Sequence, residues 1–156
     1  METISAGASV IAFVGLALQA TKSTYEFFSA FRDARTDVQQ ILENLSRFQA
    51  LLEQLHSCSA LHNSEVRQDP NATAIMGVIK QYLEMVTQYK EKIEKLNVPS
   101  DGRCTTSLKR RFKTVFNEKD LKQVQTLILD HLAILNVRFS ALQMYVPLDL
   151  KTAEQF

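Results

Sequence analysis

The chain has 156 residues, of which 46% are hydrophobic and 22% are charged, with only four Gly and three Pro. This length fits one domain with one core, and the composition is typical of a globular helical protein rather than a disordered or collagen-like one. The net charge of +1 points to no particular charged partner. The two cysteines have no motif spacing, which favours free thiols in a reducing compartment over a disulfide framework.

The first predicted helix covers about residues 5–31, and residues 3–21 carry no charge. The acidic Glu2 is the only charge ahead of this run and no small-residue cleavage site follows it, which argues against a secretory signal. The many small residues and Gln19 make it a weak permanent transmembrane span. Two apolar stripes cover most of the helix surface, as is typical of a helix in the middle of a bundle or in lipid. The first stripe comprises Ile4, Val10, Ile11, Val14, Leu18, Tyr25 and Phe28, and the second comprises Phe13, Leu16, Ala20, Phe27 and Phe31.

The second predicted helix begins at Thr36, where Thr36 and Gln39 have the spacing of a capping box. Its apolar residues recur at steps of three and four, the pattern of a bundle seam. They are Val38, Ile41, Leu45, Phe48, Leu52 and Leu55. The turn at residues 32–36 is short, and short connections make neighbouring helices antiparallel.

The third predicted helix begins at Pro70 behind the cap Asp69 and ends before Pro99. Its seam is Ile75, Ile79, Leu83, Val86, Ile93 and Leu96, flanked by Tyr82 and Tyr89. A short helix follows at about residues 107–116.

The last predicted helix starts after Asn117, an N-cap residue, with Glu118 and Asp120 in the first turn, where the helix dipole favours negative charge. Its seam is Leu121, Val124, Ile128, Leu132, Leu135, Phe139 and Leu142. Pro147 is predicted to end it. The sequence therefore predicts an all-α fold, an antiparallel bundle of four long helices plus one short helix. Residues 1–146 form a single domain in this interpretation, and residues 147–156 are a linker stub to a downstream region.

The sequence contains none of the motifs that hold nucleotides or activate a nucleophile, because its four glycines form neither a P-loop nor a dinucleotide fingerprint. We therefore expect neither an enzyme nor a cofactor. A zinc site on His56, Cys58 and His62 is disfavoured against ordinary loop residues, because zinc sites have two close ligand pairs. His131 is interpreted as a partly buried, hydrogen-bonded side chain.

Five positive charges, with no acidic residue until Glu118, surround the short helix. They are Arg103, Lys109, Arg110, Arg111 and Lys113. A solvated face on a connecting helix is one interpretation. The other is a patch for anionic lipid, since each Lys or Arg near such a surface contributes about 1 kcal/mol. Nucleic acid is not an expected partner, because net charge is near zero and no aromatic stacking platform accompanies the patch.

The opening METISAGASVIAFVGLALQATKSTYEFFSAFRDARTDVQQILENLSRFQALLEQL resembles the N-terminal domains of fungal NLR-like (STAND) receptors, the HeLo-like group. Both have a Gly- and Ala-rich apolar opening, a Tyr-Glu-Phe-Phe stretch and a Leu-rich second helix. The stretch SLKRRFKTVFNEKDLKQVQTLILDHLAILNVRFSAL resembles the same domains in its basic-aromatic segment and its Leu-rich helix with a central His. The resemblance covers most of residues 1–146.

This resemblance implies a cell-death effector, similar in logic to the four-helix bundle of the mixed-lineage kinase-like necroptosis executioner. Such a domain is cytoplasmic at rest and moves to the plasma membrane when clustering releases its first helix. The implied partners are anionic membrane lipids, other copies of the chain, and a downstream NACHT or NB-ARC module or amyloid motif. The residues expected to insert are Ile4, Val10, Ile11, Phe13, Val14, Leu16 and Leu18.

Two other functions remain open from the sequence. One is a non-lytic adaptor that recruits a partner through an exposed surface, for which Tyr82, Tyr89 and Tyr145 would be anchors if exposed. Packing at the edge of the core is the interpretation we favour for these tyrosines. The other is a structural bundle that regulates a downstream machine without an activity of its own.

Overall fold

A computed structural model describes residues 6–33, 35–58, 61, 70–96 and 105–154, with the backbone alone described at residues 6–9 and 145–154. It contains five helices: α1 (Ala6–Ser29), α2 (Thr36–Ser57), α3 (Pro70–Leu96), α4 (Thr106–Val115) and α5 (Glu118–Glu154). No strand occurs in these ranges. The predicted all-α class is therefore confirmed, and each predicted helix is present within two residues of its expected start.

The four long helices pack in a closed cycle. Helix α1 contacts α2 and α3, and α5 contacts the same two helices from the other side, while α4 packs on α3. Every apolar position predicted for the second helix is buried, as are six of the seven predicted for the last helix. These side chains form one core cluster with the buried residues of α1 and α3. Removing this apolar area from water is the main force that holds the cycle together.

The N-cap predicted at Asn117 is confirmed. The Asn117 side-chain oxygen accepts a hydrogen bond of 2.9 Å from the backbone N–H of Asp120, and an Asp120 carboxylate oxygen accepts one of 3.2 Å from the backbone N–H of Asn117. This reciprocal pair satisfies two N–H groups that a helix start leaves open. Thr105 caps α4 in a similar way by accepting from the backbone N–H of Leu108 at 3.2 Å.

The capping box predicted at Thr36 and Gln39 is wrong. Thr36 is already the first residue of α2, and the N-cap is Arg35, whose backbone is extended and whose side chain makes no capping hydrogen bond. The Arg35 carbonyl accepts from the backbone N–H of Val38 at 3.2 Å. Since Thr36 is itself part of the first helical turn, its side chain lies one residue past the N-cap position from which it could cap.

The prediction that Pro147 ends the last helix is also wrong, because α5 continues to Glu154. Proline in a helix interior lacks an N–H for the carbonyl four residues earlier, yet a helix can pass through it with a bend. The residues after Pro147 include Leu148, Leu150 and Ala153, all of which favour helix. That residues 147–156 join the domain to a downstream region stays a prediction.

Candidate functional site

The predicted insertion residues of α1 are divided between the core and the surface. Val10 and Val14 are buried, whereas Ile11, Phe13 and Leu18 are partly buried against the core. Leu16 is 52% exposed, so the second apolar stripe is not buried as a whole. Ile4 lies outside the described residues. Helix α1 therefore presents one apolar face to the core and part of a second to solvent.

The second stripe lines a groove between α1 and α3. From α1 the groove is lined by Leu16, Ala20 and Phe27, and from α3 by Leu83, Val86 and Ile93, among others, around a volume of about 680 Å³. The helical wheel shows that Leu16 lies on an apolar stripe, but not which of two apolar stripes meets the core. For that reason the sequence did not reveal this groove.

One buried hydrogen bond joins α1 to α3. The Thr21 hydroxyl donates to the carbonyl of Ala17 at 2.6 Å, which uses its single proton. The Tyr82 hydroxyl lies 2.7 Å from the Thr21 oxygen, so Tyr82 donates. Both side chains are fully buried, and burial raises the pKa of Tyr82 to about 12. Tyr82 is therefore a core residue and not the exposed anchor that an adaptor would use.

An aromatic cluster joins the end of α1 to α4. Phe31 stacks on Phe112 with ring centroids 4.3 Å apart, and Phe28 meets Phe116 edge-on at 5.7 Å. Phe27 lies 6.2 Å from Phe112 and 5.9 Å from Phe116. Aromatic pairs at these separations stabilise a contact by about 0.5–1.5 kcal/mol beyond the area they bury. The position of α4 is thus tied to the C-terminal end of α1.

The basic residues of α4 lie on the side away from this cluster. Arg110, Arg111 and Lys113 are exposed and Lys109 is partly buried, whereas Leu108 and Phe112 are buried beneath them. Arg103 lies outside the described residues. We call the four described side chains the basic arc: Lys109, Arg110, Arg111 and Lys113. The arc offers a positive surface whose orientation is fixed by the phenylalanines under it.

Lys92 of α3 connects the aromatic cluster to α5. Its ammonium nitrogen lies 3.2 Å from an Asp120 carboxylate oxygen and 5.8 Å from the ring centres of both Tyr89 and Phe116. Tyr89 is partly exposed, and its pKa is raised by burial and by the negative charge of Asp120. This end of the molecule is therefore held by ring contacts, a cation over two rings and an ion pair.

The profile of the family described as pigment biosynthesis cluster protein PigL, N-terminal, matches residues 1–155. The chain belongs to this family. No curated protein and no solved structure matches it. The match names the PigL family rather than the HeLo-like receptors, so the cell-death role stays a prediction.

The other side chains that the sequence singled out in this PigL N-terminal domain are His131, the three zinc candidates and Tyr145. His131 is buried, and its Nδ1 lies 2.6 Å from the Leu127 carbonyl, to which it donates. That agrees with the prediction of a hydrogen-bonded core histidine. Among the described residues no group of three His, Cys, Asp or Glu is placed to hold a metal ion, and His62 lies outside them. The side chain of Tyr145 is likewise not described.

Two surface properties of the PigL N-terminal domain bear on its partners. Within the described ranges, no helix is both long and apolar enough to cross a membrane. On α5, four large apolar side chains are exposed, and their spacing places them on one side of the helix: Leu129, Ile134, Val137 and Met144. Apolar residues that are exposed together on one side of a helix indicate a surface that contacts a partner, whereas single exposed ones are common on any protein.

Proposed function

We propose that this domain is a membrane-targeting, cell-death-inducing effector of the HeLo-like type, part of a fungal NLR-like or amyloid-signalling protein. It acts by oligomerisation followed by insertion of α1. One observation carries the proposal: the uncharged part of α1, up to Thr21, has apolar side chains both in the core and at the surface, and the C-terminal end of the helix is joined to the basic arc. An inert bundle helix needs neither the exposed Leu16 nor the adjoining positive surface.

At rest, α1 is stabilised by burial of side chains such as Val10 and Val14, in a bundle that we infer to be antiparallel. Lipid keeps the apolar side chains of α1 out of water, as the core does. The free-energy difference between the packed and the inserted state is therefore smaller than the free energy of burying these side chains from water. A trigger that interacts better with the released state, such as clustering of several copies, then shifts the population. A downstream NACHT or NB-ARC module, or an amyloid motif, supplies that clustering.

The basic arc provides the attraction to the membrane. Anionic lipids on the inner face of the plasma membrane attract Lys and Arg side chains near the surface. Because the phenylalanines of α4 pack on those at the end of α1, docking of the arc holds that end of α1 close to the membrane surface, with α4 between the two. The domain is therefore cytoplasmic before activation and bound to the plasma membrane after it, with no part for nucleic acid.

The test uses an exposed alanine of the uncharged run. Val14 is fully buried, so Val14→Glu would unfold the domain as well as block insertion. Ala12 is exposed, and Ala12→Glu keeps the core intact while placing a charge that costs about 2.5–3.5 kcal/mol at a bilayer centre. We expect dye leakage from anionic liposomes, driven by forced oligomerisation of the domain, to be lost in Ala12→Glu.

The matched control is Ala50→Glu, the same change at an exposed position of α2. It should keep full leakage, and circular dichroism should show both variants as helical as the parent. Undiminished leakage by a folded Ala12→Glu variant, or no leakage by the oligomerised parent domain, would contradict the proposal.

A non-lytic adaptor is the second candidate, favoured by the exposed apolar face of α5 and by a family description that names a pigment biosynthesis cluster. In this alternative Val137 and Met144 contact a protein that acts with a downstream NTPase module. Expression of residues 1–156 in yeast separates the two functions. Toxicity with a membrane-localised signal indicates the effector, whereas a harmless diffuse protein that loses a bound partner in Val137→Asp indicates the adaptor.

A further inference from the structure

We propose that Lys80 of α3 is a latch on the N-terminal half of α1. Its ammonium group lies over the ring of Phe13 in the packed state, and an anionic surface that binds the ammonium uncovers the ring. The release of the latch by a membrane rests on the proposed effector function. The restraint that Lys80 places on α1 does not, because it is a property of the domain in solution.

The contact joins a cation of α3 to the one aromatic ring in the uncharged part of α1. Phe13 is the only aromatic residue among residues 10–20, which carry no charge. The Lys80 ammonium nitrogen lies 5.3 Å from the centre of the Phe13 ring. A cation is attracted to a ring face within about 6 Å of its centre. The ring packs against the core and, with Lys80, lines a concavity of about 520 Å³. Lys80 therefore covers the solvent side of Phe13.

A second lysine of α3 differs from Lys80 in the carboxylate beside it. Lys92 also lies over aromatic rings, but its ammonium nitrogen is 3.2 Å from an Asp120 carboxylate oxygen, and this ion pair fixes it. The carboxylate near Lys80 is that of Glu84, which lines the same concavity four residues further along α3. Lysine followed by glutamate at this spacing is the weaker order of the pair on a helix. We infer that the Phe13 ring, more than Glu84, positions Lys80.

The latch can open because its closed and open states are close in free energy. Lys80 is exposed, so an anionic surface along this side of α3 reaches its ammonium group. A cation over a ring at an exposed site is stabilised about as much as one lysine beside an anionic membrane. A lipid phosphate can therefore replace the ring at little net cost. The uncovered Phe13 then enters the bilayer with neighbours that carry no charge.

Hydrogen exchange of the purified chain in solution, without lipid, tests the restraint. Lys80→Gln should speed exchange of the amides of residues 10–16 by about two- to fivefold, the factor that one exposed cation over a ring supports. The amides of residues 27–31 should not change. Lys80→Arg should keep the parent rate, because a guanidinium also stacks on an aromatic face. Lys90→Gln, the same change at another exposed position of α3, should have no effect.

A double-mutant cycle identifies the ring as the partner of Lys80. In Phe13→Leu, which keeps an apolar side chain and removes the ring, Lys80→Gln should no longer change the exchange rate. Equal rates in the parent and in Lys80→Gln would overturn the proposal, and so would an equal effect of Lys90→Gln or an effect that persists in Phe13→Leu. An equal effect of Glu84→Gln would also overturn it, because Lys80 would then act through Glu84. Since Lys80 is exposed, its variants should fold even where Phe13→Leu does not.

Dye leakage from anionic liposomes tests the opening of the latch. Lys80→Gln and Lys90→Gln have the same net charge, so they should be attracted equally to the liposomes. With both chains forced to oligomerise, we expect Lys80→Gln to cause leakage about two- to fivefold faster. Equal leakage rates would overturn the latch even if exchange differs. No leakage by any chain, with the difference in exchange intact, would overturn the effector function and leave the restraint, so the two failures are distinguishable.

Discussion

At the scale of single residues, the hydroxyl of Tyr82 is the polar contact that ties α3 to α1. Without it, Thr21 keeps its own bond to Ala17, so Tyr82→Phe leaves no donor unpaired. We expect Tyr82→Phe to lower the free energy of unfolding by about 1 kcal/mol, the net contribution of one hydrogen bond. Urea denaturation followed by circular dichroism measures it. Tyr89→Phe, at a half-buried position, should change it by less than about 0.5 kcal/mol, and equal losses in both variants would contradict the assignment.

The same residue gives the domain a dependence on alkaline pH. The pKa of Tyr82 is raised from 10.0 to about 12, so the folded state holds this proton where the unfolded chain loses it. The stabilisation is fully present below pH 10 and is lost as pH rises through about 12. We expect about 2–3 kcal/mol of stability to disappear over this interval. Because this loss exceeds the parent's advantage of about 1 kcal/mol over Tyr82→Phe, the parent should become the less stable of the two as pH approaches 12, and a difference that does not change with pH would contradict this.

At the scale of elements, α4 exposes the basic arc on one side and buries Phe112 on the other. We expect neutralisation of the basic arc, by changing its two Arg and two Lys to Gln, to weaken binding to anionic vesicles about a thousandfold. The reason is a contribution of about 1 kcal/mol per charge. The core residue Phe112 is untouched, so folding should not change. Vesicle co-sedimentation measures the effect, and high salt should reproduce part of it by screening.

The control for α4 removes the same charges elsewhere. It changes two other Arg and two other Lys to Gln, at Arg47, Arg138, Lys95 and Lys122. Its net charge equals that of the arc variant, so both variants should lose equal affinity for vesicles if only net charge matters. If the position of the arc matters, the control should keep most of its vesicle binding. Equal weakening of the two variants would show that α4 has no special part.

Much of each element was predictable from local signals, and the exceptions have physical causes. Asn117 was identified from its residue type and from the acidic Glu118 and Asp120 in the turn that follows, which are signals local in sequence. Thr36 has similar spacing, but the conformation of Arg35 decides where the helix begins, and sequence spacing does not report it. Pro147 was judged by its missing N–H, although helix formers on its C-terminal side continue α5. Leu16 was placed on an apolar stripe correctly, but its exposure depends on how far α3 lies from α1.

At the scale of the whole molecule, the two ends of α1 are held unequally. The C-terminal end places Phe28 and Phe31 among the rings of α4, whereas toward the N-terminus α1 is held by smaller side chains such as Val10 and Val14. Buried aromatic residues cost about 3–5 kcal/mol to remove, and smaller aliphatic ones cost less. The closed cycle of helices is therefore weakest toward the N-terminus of α1, and release should begin there.

Hydrogen exchange tests this order of opening. When the domain is forced to oligomerise on anionic vesicles, we expect the amides of residues 10–20 to change their protection first. Those of residues 27–31 and of α2 should keep it, since local opening follows the density of buried contacts. Tyr82→Phe should enlarge the change in residues 10–20, because it removes the hydrogen bond at the boundary between the two ends. Simultaneous loss of protection along all of α1 would mean that the aromatic cluster does not anchor it, and that the helix leaves the core as a unit.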